Sequence, residues 1–151
     1  MALGGSGDVE ERQMVGFAKH LLCSGLFVGA LASRAGAIEW NYLFDVLKQP
    51  PYRAAFDALI ARQNLPGWIG VFARTGNGVA VPATYAMIQG TRYQLNHVCK
   101  PHDCAGNELE IMFAPNGAQA WGAVIDGGKP VRFLGDPNPA QAKALSAAMR
   151  E

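Results

Sequence analysis

The stretch TRYQLNHVCKPHDCAGNELEIMF, residues 91–113, holds the information that decides the fold. Tyr93, Leu95 and His97 alternate against Arg92, Gln94 and Asn96, a period-two pattern that predicts a half-buried strand over Thr91–Val98. Leu109, Ile111 and Phe113 then alternate in the same way. Between the two predicted strands lies a tight polar segment, Cys99-Lys100-Pro101-His102-Asp103-Cys104. Two strands joined by so short a connection pair antiparallel.

Reading outward, Gln89-Gly90 forms a turn after a predicted strand at Thr84–Ile88, and Pro115-Asn116-Gly117 gives a strong hairpin signal. Trp121, Ala123 and Ile125 alternate next, Asp126-Gly127-Gly128 turns, and Val131–Leu134 closes the run. Upstream, Trp68 to Ala73 reads as a strand, with Thr75-Gly76-Asn77-Gly78 as its turn. Helical spacing governs the segments before that. Tyr42, Leu43, Val46 and Leu47 mark a helix that Pro50-Pro51 ends, and Tyr52, Phe56, Leu59 and Ile60 share one face of a second. At the far end, Asn138 is placed as an N-cap with Pro139 at the first helical position, ahead of an alanine-rich helix to about Met149. Helices, then strands with short turns, then a helix specify an α+β domain with an antiparallel meander.

The chain of 151 residues suits one domain. Half of it is hydrophobic and 17% is charged, an ordinary globular balance. A formal net charge of +1, with no basic helix, RNP motif or zinc finger, gives no footing for a nucleic-acid partner.

Residues 14–37 carry the tripartite layout of a secretory signal. Lys19 supplies the basic region, Leu21 to Leu31 the apolar run, and Ala35-Gly36-Ala37 the small-residue cleavage pattern. That run is too short to span a membrane, which takes roughly 18 apolar residues or more. Cys23 falls inside it as an ordinary apolar-region cysteine. Residues 1–13, MALGGSGDVEERQ, are glycine-rich and acidic and fit no signal, so Met14 is the expected translation start. The expected mature chain, residues 38–151, is then a single exported domain with no membrane segment, whose only cysteines are Cys99 and Cys104. In an oxidising compartment they are expected to pair.

The hexapeptide admits several chemistries. Zinc wants four ligands, whereas Cys99, Cys104 and His102 give three from one loop, and the pattern turns His97 toward the buried face. A redox pair is typically C-x-x-C at a helix N-terminus, not C-x4-C between strands. A cysteine nucleophile requires a free sulfur, which oxidation removes. A structural staple with incidental polar residues stays open. So does a loop stiffened by Pro101 and a crosslink, whose pre-ordering lowers the entropy lost on entering a partner's cleft. An imidazole hydrogen-bonds readily to carboxylates, so such a loop would suit a concave site lined by acids.

The block Thr91–Met112, with CKPHDC followed by Ala105-Gly106-Asn107 and Leu109-Glu110-Ile111-Met112, resembles the Ivy family, inhibitors of vertebrate (c-type) lysozyme in Gram-negative bacteria. Tyr42–Leu59 and Leu65-Pro66-Gly67-Trp68 are similar to that family too. The resemblance implies a five-stranded antiparallel sheet flanked by helices in α/β/α layers. It also implies a periplasmic protein without cofactor, metal or catalysis of its own. Cys99 and Cys104 would close the loop, and His102 would enter the lysozyme cleft and engage its two catalytic carboxylates. Asp103 would make polar contacts there and hold the loop, with Lys100 and Pro101 shaping it. Endogenous lytic transglycosylases are the alternative target, a thiol- or metal-dependent enzyme the contrasting class, and a homodimer a further assembly the resemblance suggests.

Overall fold

A computed structural model describes residues 42–61 and 63–149. The expected signal segment and the residues before it lie outside the described residues. A single helical turn, α1 (Leu43–Val46), leads to α2 (Pro50–Ile60), which Pro50 and Pro51 open at positions where a missing N–H leaves no helical bond unmade. Phe56 and Leu59 of α2 are buried, with Tyr52 and Ile60 packed beside them, as the helical spacing predicts.

The segment Trp68–Ala73 is not the expected strand. It lies within a helix, α3 (Gly67–Thr75), with Pro66 at the N-cap position. Ile69, Phe72 and Ala73 turn inward together, a spacing of three and four residues that only a helix places on one face. Gly76 ends it in the left-handed conformation at φ +70°, its N–H bonded to the Phe72 carbonyl. The Thr75–Gly78 segment is therefore a helix terminus, not a hairpin turn.

The strands are β1 (Val79–Ala80), β2 (Thr84–Ile88), β3 (Thr91–Cys99), β4 (Asn107–Phe113), β5 (Ala120–Asp126) and β6 (Arg132–Leu134). From β2 to β6 they form a five-stranded antiparallel meander, each paired to its sequence neighbour. The two-residue β1 extends the same edge of β3 that β2 occupies, pairing Val79 with Cys99 and Ala80 with Val98. The last helix, α4 (Pro139–Ala148), starts as the sequence predicts. Asn138 Oδ1 accepts from the N–H groups of Ala140 and Gln141, and the Gln141 side chain accepts from the Asn138 N–H.

Strand alternation divides the core between the two faces of the sheet. On one, Val98, Leu109, Ile111, Phe113, Val124 and Leu134 pack with buried residues of α1, α2 and α3. The Phe56 and Phe72 rings meet edge to face there at 6.3 Å. On the other, Leu95, Met112, Trp121 and Ala123 pack under Leu145 and Met149 at the α4 end of the chain. Fully burying Leu145 is worth about 1.5–3 kcal/mol. Helices thus cover both faces, giving the expected α/β/α layering.

Candidate functional site

The connection between β3 and β4 is built as two consecutive turns. In the first, the Asp103 N–H donates to the Lys100 carbonyl at 3.1 Å. Pro101 occupies the second position and His102 the third, with φ +64°. Proline second and a positive φ third are the marks of a type II turn. The third position normally takes glycine, so a histidine there holds a backbone conformation unfavourable to an L-residue. In the second turn the Asn107 N–H donates to the Cys104 carbonyl at 3.0 Å.

All six residues singled out in the sequence meet at this rim. A disulfide joins Cys99, at the end of β3, to Cys104, with Cα atoms 4.9 Å apart. Both sulfurs are thereby bonded to each other, which leaves neither as a free thiolate. Lys100 Nζ donates to Asp103 Oδ2 at 2.6 Å across the neck of the first turn. This hydrogen bond and charge hold the Asp103 carboxyl below the usual carboxylate range, with a smaller contribution from the Asn107 side chain. His102 and Asp103 are exposed, and Lys100 and Pro101 are half-buried. His102 thus occupies the apex of a loop with an ion pair behind it.

The base of the loop is anchored to a different hairpin. Gly127 N–H donates to Asn107 Oδ1 at 3.1 Å, and Gly128 N–H donates to the Gly106 carbonyl at 2.9 Å. Gly106 has φ +80°, and a Cβ there would fall 2.9 Å from the Gly128 nitrogen. Only glycine permits both that conformation and that approach.

Behind the loop, on the α4 side of the sheet, is a second group of polar residues that the sequence reading did not assemble. His97 pairs across the strands with Glu110, and His97 Nδ1 lies 3.2 Å from Glu110 Oε2. The Glu110 side chain is 2% exposed and that of His97 21%. The hydrogen bond to Glu110 raises the His97 pKa against the opposing effect of burial, and burial pushes the Glu110 carboxyl up. His97 is half-buried, as its alternation predicts. Glu110 carries no such signal, because alternation with Leu109, Ile111 and Phe113 sets it on the opposite face of the strand and only the fold buries it. Among the described residues no group of three histidine, cysteine or acidic side chains is arranged to hold a metal ion.

Residues 51–151 match the family model described as inhibitor of vertebrate lysozyme (Ivy). An inhibitor of vertebrate lysozyme from Pseudomonas aeruginosa is 34% identical over 92 residues, covering 60% of this chain and 58% of its own length. One from Escherichia coli K12 is 29% identical over 92 residues, covering 61% of this chain and 55% of its own length. An uncharacterized protein of P. aeruginosa is 27% identical over 147 residues, covering 85% of this chain and 92% of its own. The match thus spans less than three fifths of the two inhibitors' lengths.

Proposed function

The chain belongs to the Ivy family, and on that basis we propose that it is a periplasmic inhibitor of c-type lysozyme that works by inserting the Lys100–Asp103 turn into the enzyme's active-site cleft. The observation that carries this reading is His102, exposed at the apex of a disulfide-closed type II turn. Glycoside hydrolysis places a carboxylic acid and a carboxylate on either side of the scissile bond. An imidazole between them hydrogen-bonds to both and occupies the space the substrate needs. Inhibition then requires no chemistry from the inhibitor, only that the imidazole arrive already oriented.

The loop supports that requirement physically. Its disulfide, its Lys100–Asp103 ion pair and its glycine clasp limit the freedom that would otherwise be lost on binding. The ion pair also sets a cation beside Asp103, so the loop does not present a bare anion to a cleft lined by acids. Export fits the signal-like layout of residues 14–37 and the oxidised cysteines. Among the described residues no helix is long and apolar enough to cross a membrane.

A turbidity assay of bacterial cell-wall lysis by c-type lysozyme tests the reading. The wild-type protein is expected to inhibit. His102→Ala is expected to inhibit about thirtyfold less well, equivalent to roughly 2 kcal/mol at an anchoring residue. No inhibition by the wild type overturns the proposed target, and unchanged inhibition by His102→Ala overturns the role of the imidazole.

A further inference from the structure

The α4-facing side of the sheet is covered over only part of its length. Leu145 and Met149 sit over the Leu95, Met112 and Trp121 row, and α4 ends at Ala148. Past that end is a recess of about 640 Å³. Its walls are Val81 and Pro82 from the β1–β2 edge, Cys104 and Ala105 from the back of the loop, and Ala148 and Met149. Its volume falls in the range of small-molecule sites, about 300–1,000 Å³.

The polar lining of the recess is one-sided in charge. Among the described residues of the lining, Glu108, Glu110 and His97 are the ionisable ones, and no lysine or arginine stands with them. Among the described residues His97 is the one basic side chain facing these two carboxylates, so with both carboxylates ionised the lining carries net negative charge. Glu110 is almost fully buried, so its carboxylate has lost most of its hydration. Glu108 is half-buried on the adjoining row, opposite Cys99. Apolar walls above a net-negative floor complement a ligand with an apolar body and one positive end.

The geometry points to this recess as a binding site for a small organic cation, an ammonium or guanidinium group on a short apolar chain, held between Glu108 and the His97–Glu110 pair. The apolar chain would lie against Val81, Met149 and the back of the Cys99–Cys104 loop. The inference concerns a face of the protein other than the His102 apex and does not depend on the lysozyme reading. Burial pushes the Glu110 carboxyl up, and an incoming cation acts in the opposite direction, so occupancy and ionisation of Glu110 reinforce each other.

The test uses the isotope-labelled, oxidised protein with n-pentylammonium chloride as probe and 1-pentanol as its neutral counterpart. Saturable shifts of the Ala105 and Ala148 amides and of the His97 ring are expected with the ammonium. Affinity for pentanol should be about tenfold lower, the difference an attractive charge contributes in a partly desolvated site. Glu108→Gln should weaken ammonium binding severalfold, and this half-exposed position can change without disturbing the core. Glu110→Gln should do the same, with a dispersed amide spectrum confirming its fold. Equal binding of ammonium and alcohol would reduce the site to an apolar cavity and overturn the proposal. So would non-saturating or scattered shifts, or a Glu108→Gln protein that binds as tightly as the wild type.

Discussion

His102→Gly separates what this position does for the fold from what it does for the proposed partner. His102 has φ +64° at the third position of its turn. Holding an L-residue in the left-handed region costs about 1–2 kcal/mol, and glycine removes that strain. Glycine also gives the unfolded chain extra freedom, which offsets about 0.4–1 kcal/mol of the gain. The useful comparison is His102→Ala, which also lacks the imidazole but keeps the Cβ and hence the strain. The glycine variant should be the more stable of the two by about 0.5–1 kcal/mol, a few degrees in Tm. Both should lose inhibition about thirtyfold. Thermal unfolding at one pH together with the lysozyme turbidity assay measures the two effects. A glycine variant less stable than the alanine variant would show that the turn does not hold the positive φ in solution. A glycine variant that inhibits within about threefold of the wild type would refute the role of the imidazole.

Three further perturbations follow from the loop and the strands behind it. Replacing Cys99 and Cys104 by alanine opens a ring with a sequence separation of 5; the chain-entropy model gives a stability loss of about 2 kcal/mol, read from denaturant unfolding, and a loss under about 0.5 kcal/mol would contradict it. Gly106→Ala brings a Cβ to 2.9 Å from the Gly128 nitrogen and should destabilise by about 2 kcal/mol or more while weakening inhibition; an unchanged Tm would mean that the clasp opens freely. The His97–Glu110 pair sets a pH dependence whose sign follows from proton uptake. The folded state raises the His97 pKa above its ordinary value of 6.5, so the stabilisation is fully present below about pH 6.5 and is lost as pH rises through the folded value. Glu110→Gln should return the His97 ring titration, followed by proton NMR, toward 6.5 and flatten that slope. An unmoved titration would show that Glu110 does not cause the shift.

The strands were legible because successive side chains point to opposite faces of the sheet, which leaves a period of two in the sequence of β3, β4 and β5 even where both faces are buried. Helix α4 was legible from its cap, since an Asn-Pro pair ahead of alanines admits few other structures. Helix α3 was not. In GWIGVFART both periods find apolar residues, and Gly67, Gly70 and the aromatic and β-branched side chains all weaken a helical reading. What decides for the helix is tertiary: Ile69, Phe72 and Ala73 all turn toward the same buried layer. The loop residues could be found because their chemistry is local in sequence. The recess behind them could not, because it depends on where α4 stops relative to strands far earlier in the sequence, a quantity with no local signature.

The short ring and the meander together bear on the order in which the protein matures. From β2 to β6 every strand pairs with its sequence neighbour, and the two sulfurs are separated by 5 positions. Pairings this local close quickly, because little chain entropy is lost before they form. The β3–β4 hairpin brings Cys99 and Cys104 together without α4 or β6, so crosslinking has no need to wait for the domain. A chain still emerging at its C-terminal end can already carry a finished loop, and a chain that later unfolds keeps it. The crosslink of the loop assigned to recognition thus needs only the hairpin that carries it, while its clasp waits for Gly127 and Gly128.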